Sequence, residues 1–355
     1  MKHYKILALK YRPQTFKDLI GQEVLSKTIT NAIKIGKTPN AYLLTGIRGV
    51  GKTTTARLIA KALNCKNNGS QKSNCDLNNS CESCKEITNS NHIDVLEMDA
   101  ASKTGIDDIR DLIENSKYSP TSAKFKIFII DEVHMLSKQA FNGLLKTLEE
   151  PPPSLKFILA TTEVKKIPIT ILSRCQRFDL KRVSISEIFK HLEEIAKKEK
   201  GNITSKALRI IAQVSEGSVR DGISLLDRAI TYQNVVSKNQ VDDEDVRGML
   251  GLADKTKVIR LLQETFKGNS NNAIKILKEL FEQGVDAKYF LNDILEILSL
   301  INRKISLGSI ENDKILPEEE INLINGVSEG INVSDIGLFW QLTIKTIEDL
   351  KIIND

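Results

Sequence analysis

Three groups of residues in this sequence have types and spacings that could do chemistry. The first is "GIRGVGKT", Gly46, Ile47, Arg48, Gly49, Val50, Gly51, Lys52 and Thr53, followed at once by Thr54 and the helical run "TTARLIAKAL". Every fixed position of the phosphate-loop pattern is filled, after a strand-like "AYLLT" and before a helix. The glycines let backbone N–H groups wrap phosphates, and the helix N-terminus adds partial positive charge. Lys52 can reach the outer phosphates and Thr53 can ligate Mg²⁺. A chance glycine-rich turn would lack this strand and helix on either side.

The second group follows a buried strand. "IFIIDEVH" ends four apolar residues in Asp131 and Glu132. Asp131 is placed to hold Mg²⁺ and Glu132 to polarise an attacking water. An apolar strand ending in two acids is common by itself, but behind a complete phosphate loop the pair points to hydrolysis of a nucleoside triphosphate. At the end of the next strand, Thr161 and Thr162 in "LATTE" could hydrogen-bond that water or the γ-phosphate. Which of the two does so stays open, and β-propensity alone also places threonines there.

The third group is a cluster of cysteines. Cys65, Cys75, Cys81 and Cys84 are separated by nine, five and two residues, and the fifth, Cys175, stands alone. The intervening "KNNGSQKSN" and "DLNNS" have almost nothing apolar to bury, so packing cannot order them. Four thiolates around a structural Zn²⁺ would close that loop and supply folding energy. Cysteines buried without metal are the other reading.

The elements that must position these groups follow from periodicity. Strand-like runs at 41–45, 93–98, 126–131, 156–162 and 175–180 alternate with helical patterns. One such helix has Ala140, Leu144, Leu145 and Leu148 on one face, Ser137 as its cap and "PPP" as its stop. Alternation of this kind predicts an α/β fold with a doubly wound parallel sheet and a ligand crevice at the carboxyl ends of the strands. Beyond residue 181 the strand signal fades. "SISE" predicts a capping box for a helix running to Gly201, and Thr204 and Ser218 can cap two more. From residue 242 nearly every segment is helical, so the expected domains are 1–180, 181–241 and 242–355.

Composition sets the outer bounds. The chain has 355 residues, 41% of them hydrophobic, and Lys plus Arg exceeds Asp plus Glu by 51 to 46, a net charge of +5. That balance permits contact with nucleic acid without requiring it. No apolar run approaches the roughly 20 residues of a membrane helix, and the opening residues lack a cleavage site, so a cytoplasmic protein is expected. "KKEK" at 197–200 suits a solvated helix face, and "DDED" at 242–245 suits a helix N-terminus, where acids complement the dipole.

Longer stretches carry a resemblance. "LALKYRPQTFKDLIGQEVL", "AYLLTGIRGVGKTTTARLIAKALNC", "LEMDAASKTGIDDIRDL", "IFIIDEVHMLSKQAFNGLLKTLEEPP", "FILATTEVKKIPITILSRC" and "SEGSVRDGISLLDRAI" together resemble the gamma/tau family of bacterial DNA polymerase III. These are the clamp-loader ATPases of the AAA+ superfamily. The resemblance implies an AAA+ sheet domain with an inserted zinc module, a helical lid and a helical collar. It implies ATP, Mg²⁺ and Zn²⁺ as ligands. The partners it implies are other clamp-loader subunits in a pentamer-like arc, the sliding clamp, primed DNA and the polymerase core. ATP binding and hydrolysis would open and load the clamp, and nothing in the chain resembles a polymerase carboxylate site.

The same resemblance assigns residues. Arg174 in "SRC" matches the arginine finger, which points at the ATP of the neighbouring subunit; Arg177 has no such match, and Cys175 looks like a packing residue. Arg220 in "GSVRD" resembles the second sensor of the lid. Tyr11, Arg12 and Pro13 resemble the segment that closes over the adenine base, although "KYRP" alone would also suit a turn. The four cysteines resemble the zinc module, with one departure: Cys75 lies five residues from Cys81, where the family usually has two successive C-x-x-C pairs. The sequence stops at Asp355, where the collar is expected to finish, so a gamma-like form and a shortened tau chain both remain open. A non-catalytic assembly arm and a different AAA+ motor, such as a branch-migration helicase, are the rivals. Intact Lys52, Thr53, Asp131 and Glu132 oppose the first, and the cysteine module opposes the second.

Overall fold

The structure is a computed structural model that describes residues 6–66, 81–102, 105–236, 238–308 and 318–353. It forms two compact units, 1–239 and 240–355.

In the first unit, five strands make one sheet: β1 (Ala41–Thr45), β2 (Val95–Asp99), β3 (Lys126–Asp131), β4 (Leu155–Thr161) and β5 (Gln176–Asp179). Their order is β2-β3-β4-β1-β5, and every pairing is parallel. A parallel sheet needs helices on both faces, which is why its inner strands are apolar runs rather than alternations. Alternate residues feed two cores. Leu43, Phe128, Ile130, Phe157 and Leu159 pack with Ile109, Leu144 and Leu148 on one face. Tyr42, Leu44, Ile127, Ile129 and Ile158 pack with Ile59 and Leu63 on the other.

The helices on these faces start and stop as their end residues dictate. Helix Lys138–Glu149 is capped by Ser137, whose side chain accepts from the Ala140 N–H, and it ends directly before the prolines at 151–153. Strand β2 begins at Val95, two residues later than the apolar pattern suggests. Asp94 is the reason. It is 1% exposed, and its carboxylate accepts the backbone N–H groups of Thr121, Ser122 and Ala123 at 2.7–2.9 Å. The carboxylate thereby fixes the loop that leads into β3.

Three helices complete this unit. Ile185–Lys198 opens on the capping box of Ser184 and Glu187, Ser205–Val214 is capped by Thr204, and Val219–Val236 follows Ser218, whose hydroxyl accepts from the Asp221 N–H. The first of them stops three residues short of Gly201, with Lys200 turned to a left-handed φ of 59°. The three pack on one another through Ile188, Leu192, Leu208, Ile211 and Leu226, all buried.

The elements of the second unit's described residues are helices: Asp243–Leu250, Lys255–Phe266, Ser270–Glu282, Ala287–Leu307, Glu318–Ser328 and Val333–Ile353. Its core is built from Val258, Ile259, Leu262, Ile294, Leu298, Ile301 and Ile324. Asp242 opens the first helix with a capping box, the role its acidic run suggests. No helix among the described residues is long and apolar enough to cross a membrane.

Candidate nucleotide site and cysteine cluster

Strand β1 delivers the chain to Gly46 at the carboxyl end of the sheet, where helix Lys52–Asn64 begins. Between them Gly46, Gly49 and Gly51 take φ values of 147°, 81° and 102°, a backbone that side chains oppose. Gly46 also has no room: a Cβ there would lie 2.8 Å from the carbonyl oxygen of Leu180. Of the residues between, Arg48 is exposed, while Ile47 and Val50 pack on the core of that face.

Lys52 is 5% exposed, and its ammonium donates to the carbonyls of Gly46 and Ile47, each at 3.1 Å. The Glu132 carboxylate stands 3.8 Å away. Burial pushes the Lys52 ammonium below its usual pKa, and Glu132 and Asp131 oppose that shift. A buried cation held by two neutral carbonyls and a carboxylate at the edge of contact is ready to exchange those partners for phosphate oxygens.

Asp131 and Glu132 leave the end of β3 in different directions. The Thr53 hydroxyl donates to Asp131 Oδ2, so two oxygen ligands suited to Mg²⁺ already lie side by side. Glu132 takes a left-handed φ of 46°, rare for a residue with a side chain, and this turns the chain back on itself. Its Oε2 accepts the N–H and hydroxyl of Thr162, both at 3.1 Å. Thr161 is fully buried, and its hydroxyl accepts the Glu163 N–H at 3.0 Å. The two threonines therefore divide: Thr162 holds the acid of β3, and Thr161 is part of the strand end.

The N-terminal segment flanks the loop. Arg12 donates from Nε to the Thr54 hydroxyl at 3.0 Å. Burial lowers its pKa first, and the nearby Arg57 and Arg220 lower it further. Glu97, paired with Arg57 at 2.7 Å, and Asp131 oppose that shift. Tyr11 donates its hydroxyl to Glu199, beyond helix Ile185–Lys198, and burial, with that bond second, pushes the phenol up to about 12. Pro13 is half-buried beside it. At the start of helix Val219–Val236, the N–H of Arg220 donates to the Gly49 carbonyl at 3.2 Å, and the Arg220 side chain is exposed.

Arg174 is not brought to this site. It precedes β5, whose Gln176 pairs with Tyr42 near the start of β1, whereas the phosphate loop follows Thr45 at its end. That register sets Gln176 about 10 Å back from Thr45 along the strand direction, and Arg174 lies further along the chain from it. Its guanidinium donates to Glu149 at 2.5 Å and to the Thr170 carbonyl at 2.7 Å. Arg177 pairs with Asp179 on the exposed edge strand at 2.7 Å.

Cys65 follows helix Lys52–Asn64, and Cys81 and Cys84 cap and enter helix Glu82–Thr88. Their three thiol sulfurs all lie within 4.8 Å of one another. Four sulfurs bound tetrahedrally at 2.3 Å from Zn²⁺ sit about 3.8 Å apart, so the trio fits that ion. Cys75 lies outside the described residues.

His134 was not marked by any periodicity or motif in the sequence. It sits in the single helical turn Val133–Met135, 3.0 Å from the Thr161 hydroxyl and 3.4 Å from Glu132 Oε2. Its only sequence signal is its place two residues after Glu132. Without knowledge of the left-handed turn at Glu132, that spacing says nothing about direction.

Residues 21–184 match the family described as "DNA polymerase III, delta subunit", residues 187–235 the clamp loader subunit "ATPase lid domain", and residues 241–355 "DNA polymerase III subunits gamma and tau domain III". The chain is 40% identical over 348 residues to the gamma subunit of Buchnera aphidicola subsp. Schizaphis graminum, covering 98% of this chain and 93% of that protein. It is 39% identical over 339 residues to the tau subunit of Escherichia coli, covering 95% of this chain and 51% of that protein. The chain therefore spans about half the length of that tau relative. Among solved structures, the Thermotoga maritima RuvB branch migration motor superposes with a TM-score of 0.52 at 21% identity, over 72% of this chain and 80% of that one, which is a likeness of fold. With its parallel sheet, its lid helices and this degree of identity along nearly the whole sequence, the chain belongs to the gamma/tau family of DNA polymerase III subunits.

Proposed function

We propose that the chain is the ATPase motor subunit of a bacterial clamp loader, acting in the cytoplasm within the DNA polymerase III holoenzyme. Its partners would be other loader subunits, the sliding clamp, primed DNA and, through the holoenzyme, the polymerase core. The observation that carries this reading is the Lys52 ammonium 3.8 Å from the Glu132 carboxylate, with Thr53 hydrogen-bonded to Asp131 beside them. A phosphate-binding cation, a carboxylate base and a pair of oxygen ligands converge where a triphosphate would lie along the glycine loop.

The chain's own groups divide the work. The N–H groups of the loop and Lys52 bind the outer phosphates, and Arg12 with Tyr11 and Pro13 borders the base and sugar. The Glu132 carboxylate, held at Oε2 by Thr162, accepts the proton of the attacking water, and Thr161 fixes the neighbouring strand end. Thr53 and Asp131 would hold Mg²⁺, whose charge offsets that of the phosphates. Arg220 joins the lid to the loop, so the lid's position follows the occupancy of the site. Arg174 faces away from its own loop and would complete the site of an adjacent subunit, stabilising charge on the transferred phosphoryl group. Hydrolysis then depends on assembly. Cys65, Cys81 and Cys84, with Cys75 as the fourth ligand, would hold a structural Zn²⁺.

The test is ATP hydrolysis by the reconstituted loader with clamp and primed DNA, comparing wild type with Arg174→Ala and measuring ATP affinity of the isolated chain in parallel. Turnover is expected to fall by roughly 10³-fold while affinity holds. Unchanged turnover, or full turnover by the lone chain, would overturn the role in trans.

A further inference from the structure

We infer that His134 is a positioning residue for hydrolysis: through Nδ1 it fixes the Glu132 carboxylate and the Thr161 hydroxyl relative to each other. The inference rests on the ATPase reading above and deepens it. The imidazole is enclosed, with 6% of its side chain exposed. Nδ1 lies 3.0 Å from Thr161 Oγ1 and 3.4 Å from Glu132 Oε2. Nε2 lies 3.5 Å from Glu163 Oε1. The ring thus bridges the ends of β3 and β4, the two strands that carry the base and the threonine beside it.

Chemistry assigns the ring's roles. A carboxylate only accepts, so a hydrogen on Nδ1 can be shared between Glu132 Oε2 and the Thr161 hydroxyl, while Nε2 faces Glu163. The Thr161 oxygen already accepts the Glu163 N–H at 3.0 Å, which holds it still for the imidazole. Thr162 also donates twice to Glu132 Oε2. Glu132 is therefore steered from two sides, by Thr162 just past the end of β4 and by His134 from its own turn. The left-handed φ of 46° at Glu132 is what brings a side chain two residues later back beside it. That strained conformation for a residue with a side chain is accounted for if the return of His134 is needed. A packing role alone would not place both ring nitrogens against acidic oxygens.

The test uses the reconstituted loader with clamp and primed DNA, and reads single-turnover ATP hydrolysis and ATP affinity separately. His134→Ala is expected to slow hydrolysis about 10-fold, the effect of losing the hydrogen bond to Thr161 and the 3.4 Å contact with the Glu132 carboxylate, with affinity unchanged within about threefold. The amide nitrogen of Asn overlays Nδ1 and that of Gln overlays Nε2, so His134→Asn is expected to recover most of the rate and His134→Gln is not. Hydrolysis at the wild-type rate in His134→Ala, affinity lost in step with rate, or equal rescue by Asn and Gln would each overturn the role. If His134→Ala fails to assemble, the comparison of Asn with Gln decides. Glu132→Gln is measured alongside: were it to hydrolyse ATP at the wild-type rate, the ATPase reading itself would fall, whereas its inactivity with indifferent His134 variants would remove His134 alone.

Discussion

The backbone N–H of Arg220 donates to the carbonyl of Gly49 at 3.2 Å, so the first turn of a lid helix is bonded to the middle of the phosphate loop. The approach is close enough that a Cβ on Gly49 would stand 1.9 Å from the Ser218 hydroxyl. The lid and the loop are therefore coupled through a position where only hydrogen fits.

Gly49→Ala is expected to weaken ATP binding by about tenfold or more, because a left-handed residue with a Cβ costs roughly 1–2 kcal/mol and the lid must also withdraw. Titration of the isolated chain with ATP measures this. Adding Ser218→Ala to Gly49→Ala should recover part of the affinity, since it removes the nearest clashing atom. Wild-type affinity in the single variant would show that the contact does not bear on the nucleotide.

Asp94 gives a dependence on pH. Burial pushes its carboxyl up, but the N–H groups of Thr121, Ser122 and Ala123 and the Ser122 hydroxyl outweigh that effect, and the net shift is downward. A carboxyl whose pKa is lower folded than unfolded stabilises the fold above its unfolded value, near 3.9, and that contribution is lost as pH falls through the folded value. Asp94→Asn should thus cost about 2–3 kcal/mol at pH 7, as four charge-assisted bonds become weaker or unmade, and the difference from wild type should shrink below about pH 4. Urea unfolding at the two pH values decides, and a difference that persists undiminished in acid would refute the electrostatic cause.

For the cysteine cluster, purified protein is expected to contain about one zinc ion per chain, four thiolates completing one tetrahedral shell. Cys84→Ser should remove most of it and lower the melting temperature, since metal binding and local folding share one free energy. Elemental analysis beside thermal unfolding checks both. A metal-free wild type with the same melting temperature as Cys84→Ser would leave the three sulfurs as a packed cluster and nothing more.

The sequence by itself determined the elements and the loop chemistry. Apolar runs set all five strands to within two residues of where they lie, because a parallel sheet covered on both faces demands them. Ser137, Ser184, Thr204 and Asp242 marked helix starts, because unpaired N–H groups need a local acceptor that short side chains supply. Lys52 was legible because its partners lie within six residues. Only the tertiary structure decided what depends on two segments meeting. Thr162 and Thr161 are adjacent in sequence, yet one holds Glu132 and the other meets His134, because β4 ends at Thr161 and both contacts depend on the turn that follows β3. Arg174 faces away from its own loop because of the register of β5 against β1, and pairing register is a long-range property. Tyr11 reaches Glu199 across 188 positions, and Arg220 reaches Gly49 from the first turn of a lid helix. Local propensity is read along the chain, whereas the direction of a side chain toward a distant partner is fixed only once packing has closed both segments into place.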